Sequence, residues 1–232
     1  MSDRFFVTRI DDTKIIELIG DEAQHLNQVM RGRVGTRVQL FDGQGHEATA
    51  VIQVLSKKTV QLQIESVSTI SREAGCRVIL GTALPKSGRE RFLVEKTVEL
   101  GVAEFVALES THSVVKPSSG FIDKANRIAI EASKQCGRNQ LMQIRLASFR
   151  DYVTAADLPA TRLIADPSGA SFFEIDTTAH DSIALAIGPE GGFTEQELDE
   201  ATDAGWQRVA LGERILRIET AALALASQFL LD

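Results

Sequence analysis

Segment 187–194 reads Ile187-Gly188-Pro189-Glu190-Gly191-Gly192-Phe193-Thr194 and follows the apolar run 183–187. Glycine has no Cβ, so the backbone can turn sharply here and leave its N–H and C=O groups accessible to a ligand. Thr194 and Glu197 have the spacing of a capping box, which predicts a helix over 195–204. The order of strand, glycine-rich loop and helix predicts a ligand-binding loop in an α/β fold.

This loop differs from the loops that bind phosphate. It has neither the GxxxxGK[ST] nor the GxGxxG pattern. Glu190 would repel an anion placed against the loop amides, although a helix N-terminus by itself attracts anions. A neutral or cationic ligand is therefore the better expectation.

A second loop of this kind reads Leu211-Gly212-Glu213-Arg214-Ile215-Leu216-Arg217-Ile218-Glu219-Thr220 and leads into an apolar helix over 220–231. A third candidate loop begins at Asp166-Pro167, also after an apolar run. Ligands of parallel sheets bind at the carboxyl ends of the strands. The three loops are therefore expected to meet at one pocket.

The pattern of secondary structure changes near residue 72. Before it, strands over 37–41, 46–55 and 59–67 and a short helix over 22–31 predict a small β-rich domain. After it, short apolar strands alternate with helices, which predicts a mostly parallel sheet covered on both faces. The strands are expected over 78–83, 104–108, 162–165, 183–187 and 208–211, and the helices over 88–100, 121–136, 195–204 and 219–231. We expect two domains, 1–72 and 73–232.

Composition narrows the class of protein. The chain has 232 residues, 44% of them hydrophobic, but no apolar run approaches the roughly 18 residues that span a membrane, and nothing resembles a signal peptide. Cys76 and Cys136 form no C-x-x-C pair, and the four histidines show no metal-binding spacing. These features favour a cytoplasmic protein with reduced thiols and no metal site.

The net charge of −7 is unfavourable for a protein that binds nucleic acid, but the charge is unevenly distributed. Segment 151–205 contains twelve acidic residues and a single basic one, Arg162, so the rest of the chain carries a net charge of +4. A local basic surface is therefore compatible with the composition. Ordinary solvated lysines and arginines would give the same count.

The two glycine-containing loops, GPEGGFT and LGERILRIETA, resemble the signature of the SPOUT superfamily of RNA methyltransferases. Within it, the chain is most similar to the family of ribosomal RNA small subunit methyltransferase E. Further similar segments are 22–43, 84–102, 113–116 and 130–139, so the resemblance covers nearly the whole chain. It implies a PUA-like RNA-binding domain followed by a SPOUT-type parallel sheet tied in a deep trefoil knot, and a homodimer.

The resemblance also implies an activity, which is methylation of N3 of a uridine in 16S rRNA of the small ribosomal subunit by S-adenosyl-L-methionine. The residues expected to bind this cofactor lie in the three loops: Asp166, Ile187, Gly188, Pro189, Glu190, Gly191, Gly192, Leu211, Gly212, Ile215 and Leu216. The residues expected to contact RNA are His25, Arg31, Arg33, Lys86, Arg89 and Lys116. The family usually has Glu-Arg where this chain has Thr111-His112, so an arginine contact to RNA is missing there.

The reaction requires loss of the proton on uracil N3, helped by a general base or by a cation that stabilises the developing anion. Arginine suits the second role, and Arg138 and Arg217 are the candidates. Asn139 is a candidate for reading the edge of the base, and Glu190 a weaker one for the general base. Two structural alternatives remain open: Arg217 pairs with Glu219 or Glu213, and Asn139 ends a turn.

Other functions compatible with the sequence are methylation of a different RNA, such as tRNA or 23S rRNA, and RNA binding without a cofactor. The retained glycines at 188, 191, 192 and 212 argue against the second. A nucleotide-dependent oxidoreductase would need a strand–GxGxxG–helix unit, and a serine hydrolase a GxSxG turn. Neither pattern is present.

Overall fold

The computed structural model describes residues 4–10, 14–29, 32–56, 58–86, 88–175 and 181–231. The contacts between residues divide the chain into two compact units. The first comprises Met1–Glu73 and Ile130–Leu141, and the second comprises Ala74–Ala129 and Met142–Asp232. The predicted functional division at residue 72 stays a prediction, and 130–141 are grouped with the N-terminal unit rather than with the rest of the C-terminal part.

The first unit contains a five-stranded sheet with the order β1-β3-β4-β5-β2. Its strands are β1 (Arg4–Phe6), β2 (Ile15–Ile19), β3 (Arg37–Phe41), β4 (His46–Leu55) and β5 (Thr59–Thr69). The pairs β3–β4, β4–β5 and β2–β5 are antiparallel, and only β1–β3 is parallel among the described strands of this sheet. Alternate residues of these strands, including Leu40, Ile52 and Leu62, form a fully buried core.

The predicted strands β3 and β4 have the bounds that the sequence suggested, and β5 extends two residues further. The predicted helix over 22–31 is an α-helix, α1 (Gly20–Gln24), continued by a π-helical turn (His25–Val29). Residues 30–31 of that prediction lie outside the described residues. The sequence did not predict β1 and β2.

The second unit contains six strands, all parallel, in the order β11-β9-β10-β6-β7-β8. Its strands are β6 (Arg77–Ala83), β7 (Glu104–Glu109), β8 (Gln143–Ser148), β9 (Thr161–Ser171), β10 (Ser182–Ile187) and β11 (Gln207–Ala210). Its helices are α2 (Glu90–Leu100), α3 (Ser119–Cys136), which continues into the first unit, α4 (Phe149–Val153), α5 (Glu195–Asp203) and α6 (Ile218–Leu230). The predicted parallel sheet is confirmed.

Tyr152 forms hydrogen bonds to two adjacent central strands of this sheet, β6 and β10. Its fully buried hydroxyl accepts a hydrogen bond from Gly81 N–H at 3.1 Å and lies 2.9 Å from the carbonyl oxygen of Leu185, to which it donates. A Cβ at Gly81 would lie 2.3 Å from the Tyr152 ring, so only glycine leaves room for it. Burial raises the pKa of Tyr152, which keeps the hydroxyl protonated. The hydroxyl of Tyr152 thereby connects β6 and β10 at residues inside both strands.

The long strand β9 contains a bulge. Ile164 pairs with Arg208, but the next paired residue of β9 is Ala170, opposite Val209, so 165–169 loop out of the ladder. The bulge closes at Gly169, where a Cβ would lie 2.5 Å from the backbone nitrogen of Val209. The sequence predicted a strand that ended at residue 165, because Pro167 and Gly169 are typical of a loop. Pairing in fact resumes beyond them.

No helix within the described ranges is long and apolar enough to cross a membrane. The trefoil knot stays a prediction.

Candidate active site

The bulge of β9 and the loops that follow β10 and β11 line one cavity of about 410 Å³, within the usual range of small-molecule sites, about 300–1,000 Å³. All residues predicted to bind the cofactor line this cavity: Asp166, Ile187, Gly188, Pro189, Glu190, Gly191, Gly192, Leu211, Gly212, Ile215 and Leu216. The expectation that the three segments meet at one pocket is therefore confirmed, but the segment at Asp166-Pro167 is a bulge within β9 and not a loop after its end. The binding roles of the individual residues stay predictions.

The wall of the cavity combines apolar and acidic side chains. Leu211, Leu216 and Ile218 form part of the apolar portion. The charged side chains in the lining are four carboxylates, Asp166, Glu190, Glu195 and Glu213, and one guanidinium, that of Arg214. An excess of negative charge favours a cationic ligand and disfavours polyphosphates. The absence of phosphate-loop patterns in the sequence is consistent with this chemistry.

Asp166 is the buried carboxylate of the cavity and organises the bulge in β9. Its two oxygens accept hydrogen bonds from Ser168, from the backbone N–H at 3.1 Å and from the hydroxyl at 2.7 Å. Arg208 of β11 lies 3.6 Å from the same carboxylate and 3.2 Å from Asp199. Asp166 therefore has a fixed position, which a ligand group can meet without a rearrangement of the loop.

The glycine-rich loop is shaped by a turn and a helix cap. Gly192 N–H donates to Pro189 O at 2.9 Å, and Gly192 has a φ of +70°, which favours glycine. The predicted capping box is confirmed: Thr194 Oγ1 accepts from Glu197 N–H at 3.2 Å, and Glu197 Oε2 accepts from Thr194 N–H at 2.8 Å. The loop thus ends at a fixed point, the start of α5.

Glu197 also accepts hydrogen bonds from the loop formed by residues 110–116, which follows β7. Its Oε1 accepts hydrogen bonds from the Thr111 N–H at 2.8 Å and from the Thr111 hydroxyl at 3.0 Å. Burial opposes ionisation of Glu197, yet these bonds and those from Thr194 outweigh it and lower the pKa of the carboxyl group. The buried carboxylate is therefore held in its charged form.

Arg217 lies at the N-cap of α6 and is exposed. The alternative that it pairs with Glu219 is not realised, because Glu219 is buried and accepts a hydrogen bond from Arg89 at 3.1 Å. Across the described residues, Arg217 forms no salt bridge within 4.0 Å, with Glu213 or any other carboxylate. Its guanidinium is therefore available to an external anion, and its catalytic role stays a prediction.

Arg138 and Asn139 are engaged inside the first unit. Arg138 is 5% exposed and its Nε donates to Glu73 at 2.8 Å. Asn139 is fully buried and its amide donates to the carbonyl oxygens of Gly45, at 3.2 Å, and Ile70, at 2.6 Å. These contacts favour a structural role for both residues, but the amide of Asn139 bonds to two segments that are distant in sequence and does not end a local turn. Their catalytic roles stay untested predictions.

The residues predicted to contact RNA occupy several environments. Lys86 and Lys116 are exposed, and Lys116 lies 2.8 Å from the exposed Glu109. Arg89 is partly engaged by Glu219. In the first unit, Arg33 is exposed and the His25 ring packs edge-on against Phe5, while Arg31 lies outside the described residues.

Lys134 of the first unit is buried, and its Nζ lies 2.9 Å from Glu22 Oε1.

Several lining residues were missed. Five of them lie beside the predicted residues, whose positions could have indicated them: Ala165, Pro167, Phe193, Glu213 and Arg214. The other five lie in the adjoining elements α5, β11 and α6: Glu195, Leu198, Val209, Ile218 and Ala221. No sequence signal connects Thr111 to Glu197, which lie 86 residues apart. No group of three or more potential metal ligands occurs among the described residues.

The family model of the RNA methyltransferase domain matches residues 72–230, and that of the RNA methyltransferase PUA domain matches residues 18–65. The chain belongs to this RNA methyltransferase family. Among its relatives is the ribosomal RNA small subunit methyltransferase E of Synechocystis, 33% identical over 92% of this chain and 72% of the relative. That of Bacillus subtilis is 28% identical over 95% of this chain and 93% of the relative.

Solved structures of related methyltransferases have the same fold as this chain. Ribosomal RNA small subunit methyltransferase E from Neisseria gonorrhoeae, bound to S-adenosyl methionine, superposes with a TM-score of 0.88 at 31% identity, over 98% of this chain and 96% of that one. A methyltransferase structure from Legionella pneumophila, in complex with the bound cofactor SAM, gives a TM-score of 0.90 at 30% identity, over 99% and 97% of the two chains. The PUA-like first domain and the SPOUT-type parallel sheet are thus those of this family.

Proposed function

We propose that the protein methylates N3 of a uridine in 16S rRNA with S-adenosyl-L-methionine as the methyl donor. The observation that carries the proposal is the convergence of the β9 bulge and the loops after β10 and β11 on one cavity, whose lining is partly apolar and whose charged side chains are mostly acidic. Similarity over nearly the whole chain to S-adenosyl methionine-bound structures supports the same ligand. The relatives' names support the 16S rRNA of the small subunit as the substrate.

The cavity suits this cofactor chemically. Bound S-adenosylmethionine supplies a methyl group that is already activated by its positively charged sulfur. Leu211, Leu216 and Ile218 offer apolar surface to an adenosine, and exposed backbone in the glycine-rich loop offers polar groups. The carboxylates of the lining favour the positive cofactor over its neutral demethylated product. This preference promotes release of the product after transfer.

Arg217 is the proposed catalytic cation. It is exposed, forms no described salt bridge and lies at the positive N-terminal end of α6, next to lining residues of the cavity. A guanidinium in this position stabilises the negative charge that develops on the uracil ring as N3 loses its proton. It also makes loss of that proton easier, so that a weak base such as Glu190 or water suffices.

The RNA is proposed to approach the carboxyl edge of the parallel sheet. The loops after β6 and β7 carry Lys86 and Lys116, both exposed, and the loop after β11 carries Arg214 and Arg217. Cations around the mouth of the cavity bind the RNA phosphates, and the acidic interior binds the cationic cofactor. This arrangement reconciles RNA binding with the net charge of −7.

The homodimer, the trefoil knot and a cytoplasmic location remain part of the proposal. Ile215, which lines the cavity, is 80% exposed, and Leu231, just after α6, is 65% exposed. Large apolar side chains at such positions are typical of surfaces that another chain covers. Sedimentation equilibrium tests this point: a single species of twice the chain mass supports the dimer, and a monomer at micromolar concentration contradicts it.

The first test is calorimetric titration with S-adenosylmethionine, S-adenosylhomocysteine and ATP. We expect saturable binding of both adenosyl ligands and none of ATP. Absence of binding with or without 16S rRNA would contradict the enzyme and favour a cofactor-free RNA-binding protein.

The catalytic cation is tested by Arg217→Ala, with Arg127→Ala as the control, an exposed arginine of α3. Loss of one preorganised stabilising donor typically lowers kcat by about 100- to 1,000-fold. We expect a loss of this size for Arg217→Ala with nearly unchanged cofactor affinity, and normal turnover for Arg127→Ala. Near-normal turnover of Arg217→Ala would remove Arg217 from the mechanism.

A further inference from the structure

The loop 110–116, which follows β7, is joined directly to the glycine-rich loop of the cavity. His112 Nδ1 lies 3.1 Å from the carbonyl oxygen of Gly192. Because a carbonyl oxygen can only accept a hydrogen bond, Nδ1 carries the proton and donates it. Gly191 makes this approach possible, since a Cβ there would lie 3.3 Å from the His112 Cβ. The imidazole therefore packs on the backbone of a cavity-lining segment.

Glu197 provides a second connection between the same two loops. One carboxylate oxygen accepts both hydrogen bonds from Thr194, at 2.8 and 3.1 Å, and the other accepts both from Thr111, at 2.8 and 3.0 Å. The carboxylate is 8% exposed, so these bonds are largely protected from competing water. A displacement of the glycine-rich loop at Thr194 is therefore transmitted to Thr111.

The far side of loop 110–116 faces solvent and carries groups suited to RNA. Lys116 has a side chain that is 74% exposed, and Val114 is 61% exposed. Val115 forms an isolated β-bridge with Leu84, two residues before the exposed Lys86. The two lysines predicted to contact RNA thus lie on loops that are bonded to each other, and one of these loops is bonded to the cofactor cavity.

We infer that Thr111, His112 and the positioning residue Glu197 couple the cofactor cavity to the RNA-contacting loop, so that each ligand raises the protein's affinity for the other. The inference rests on the proposed function, because it assigns the cavity to S-adenosylmethionine and loop 110–116 to RNA. It adds a role for three side chains that need not touch either ligand.

The coupling has a simple physical origin. A cofactor that contacts the glycine-rich loop restricts that loop, and the bonds to Thr111 and His112 restrict loop 110–116 at the same time. RNA then binds a loop that the cofactor has already ordered, so RNA binding loses less conformational entropy. Linkage requires that RNA raise cofactor affinity by the same factor, and such factors are typically about 5- to 150-fold.

The test compares affinities for unmodified, in vitro transcribed 16S rRNA with and without saturating S-adenosylhomocysteine, which cannot react. The decisive variant is Thr111→Ala with His112→Ala. Both residues are exposed, and the capping box of Thr194 and Glu197 remains, so the fold should persist. Thr111→Ser with His112→Asn keeps a donor at each position. Thr202→Ala is the matched control, because Thr202 lies in the same helix as Glu197 and its hydroxyl donates to Leu198 O of that helix.

The quantity measured is the ratio of the two RNA dissociation constants. We expect the wild type and Thr202→Ala to bind RNA at least about fivefold more tightly with S-adenosylhomocysteine. The double alanine variant should lose most of this ratio while each ligand alone binds nearly as before, and the serine–asparagine variant should recover it. Two results would overturn the inference but not the proposed function. One is a ratio in the alanine variant equal to that of the wild type, and the other is a ratio of one in a wild type that binds both ligands. Failure of the wild type to bind either ligand would overturn the proposed function as well.

Discussion

Replacing Glu197 by glutamine tests the centre of this arrangement. The carboxylate accepts four hydrogen bonds, two from Thr194 and two from Thr111. Glutamine has one oxygen and can therefore replace one pair of bonds, which leaves its NH₂ group facing the donors of the other residue. Charge-assisted bonds contribute about 1.5–3 kcal/mol each, but exposed Thr111 can regain bonds to water, so we expect a loss of about 2 kcal/mol in the free energy of unfolding.

The assay uses the protein's single tryptophan. Trp206 is 3% exposed, packs against Tyr152 and belongs to the core that contains Leu198 of the same helix as Glu197. Its fluorescence during urea unfolding therefore reports on the second unit. Glu200→Gln is the matched control, because Glu200 lies in the same helix and pairs with the exposed Arg150. An exposed pair of this kind contributes only about 0–1 kcal/mol.

The pH dependence distinguishes the charged bonds from simple packing. Because folding lowers the pKa of Glu197, its contribution is fully present above the unfolded value of about 4.3 and is lost as the pH falls through the lower folded value. The difference in unfolding free energy between the wild type and Glu197→Gln should therefore be largest above pH 5 and shrink in acid. A difference that stays constant down to the lowest pH at which both fold, or a loss no larger than that of Glu200→Gln, would refute this reasoning.

Three further substitutions have defined outcomes. Gly169→Ala places a Cβ 2.5 Å from the backbone of β11. We expect thermal unfolding to show a free energy of unfolding lower by about 1–3 kcal/mol, and calorimetry to show weaker cofactor binding. Unchanged values would contradict the close approach. Gly212→Ala meets open space but a φ of +99°, so strain of about 1–3 kcal/mol should appear as a lower melting temperature; an unchanged melting temperature would argue against it. Arg138→Ala leaves the carboxylate of Glu73 unpaired and should cost about 3–5 kcal/mol, followed by circular dichroism; normal stability with lost turnover would instead support a catalytic Arg138.

The sequence was most informative where local rules act. The periodicity of β4, the glycine-rich loop and the capping box at Thr194 each depend on a few neighbouring residues, and each was predicted with nearly correct bounds. The convergence of the segments at Asp166, Gly188 and Gly212 on one cavity agrees with the general rule that ligands bind at the carboxyl ends of parallel strands, although the first segment is a bulge within β9. The location of the cavity could be predicted because it depends on these local features.

The errors arose where tertiary contacts decide. The edge strand β8 and the five-residue helix α4 were not predicted, because they are too short or too mixed in polarity to show a clear hydrophobic period. In β9, pairing with β11 resumes at Ala170 despite a proline and a glycine in between. No local pattern indicates the long-range partners of the two candidates in the first unit, which are Glu73 for Arg138 and Gly45 for Asn139, and the catalytic roles of both residues stay predictions.

The most direct test of the central claim is the product itself. Unmodified 16S rRNA, both as a free transcript and assembled into small subunits, is incubated with the protein and S-adenosylmethionine, digested to nucleosides and examined by mass spectrometry. We predict one 3-methyluridine per rRNA, absent without the cofactor and strongly reduced with Arg217→Ala. Methylation at another position of a base or ribose, or no methylation of either substrate by a protein that binds the cofactor, would contradict the account.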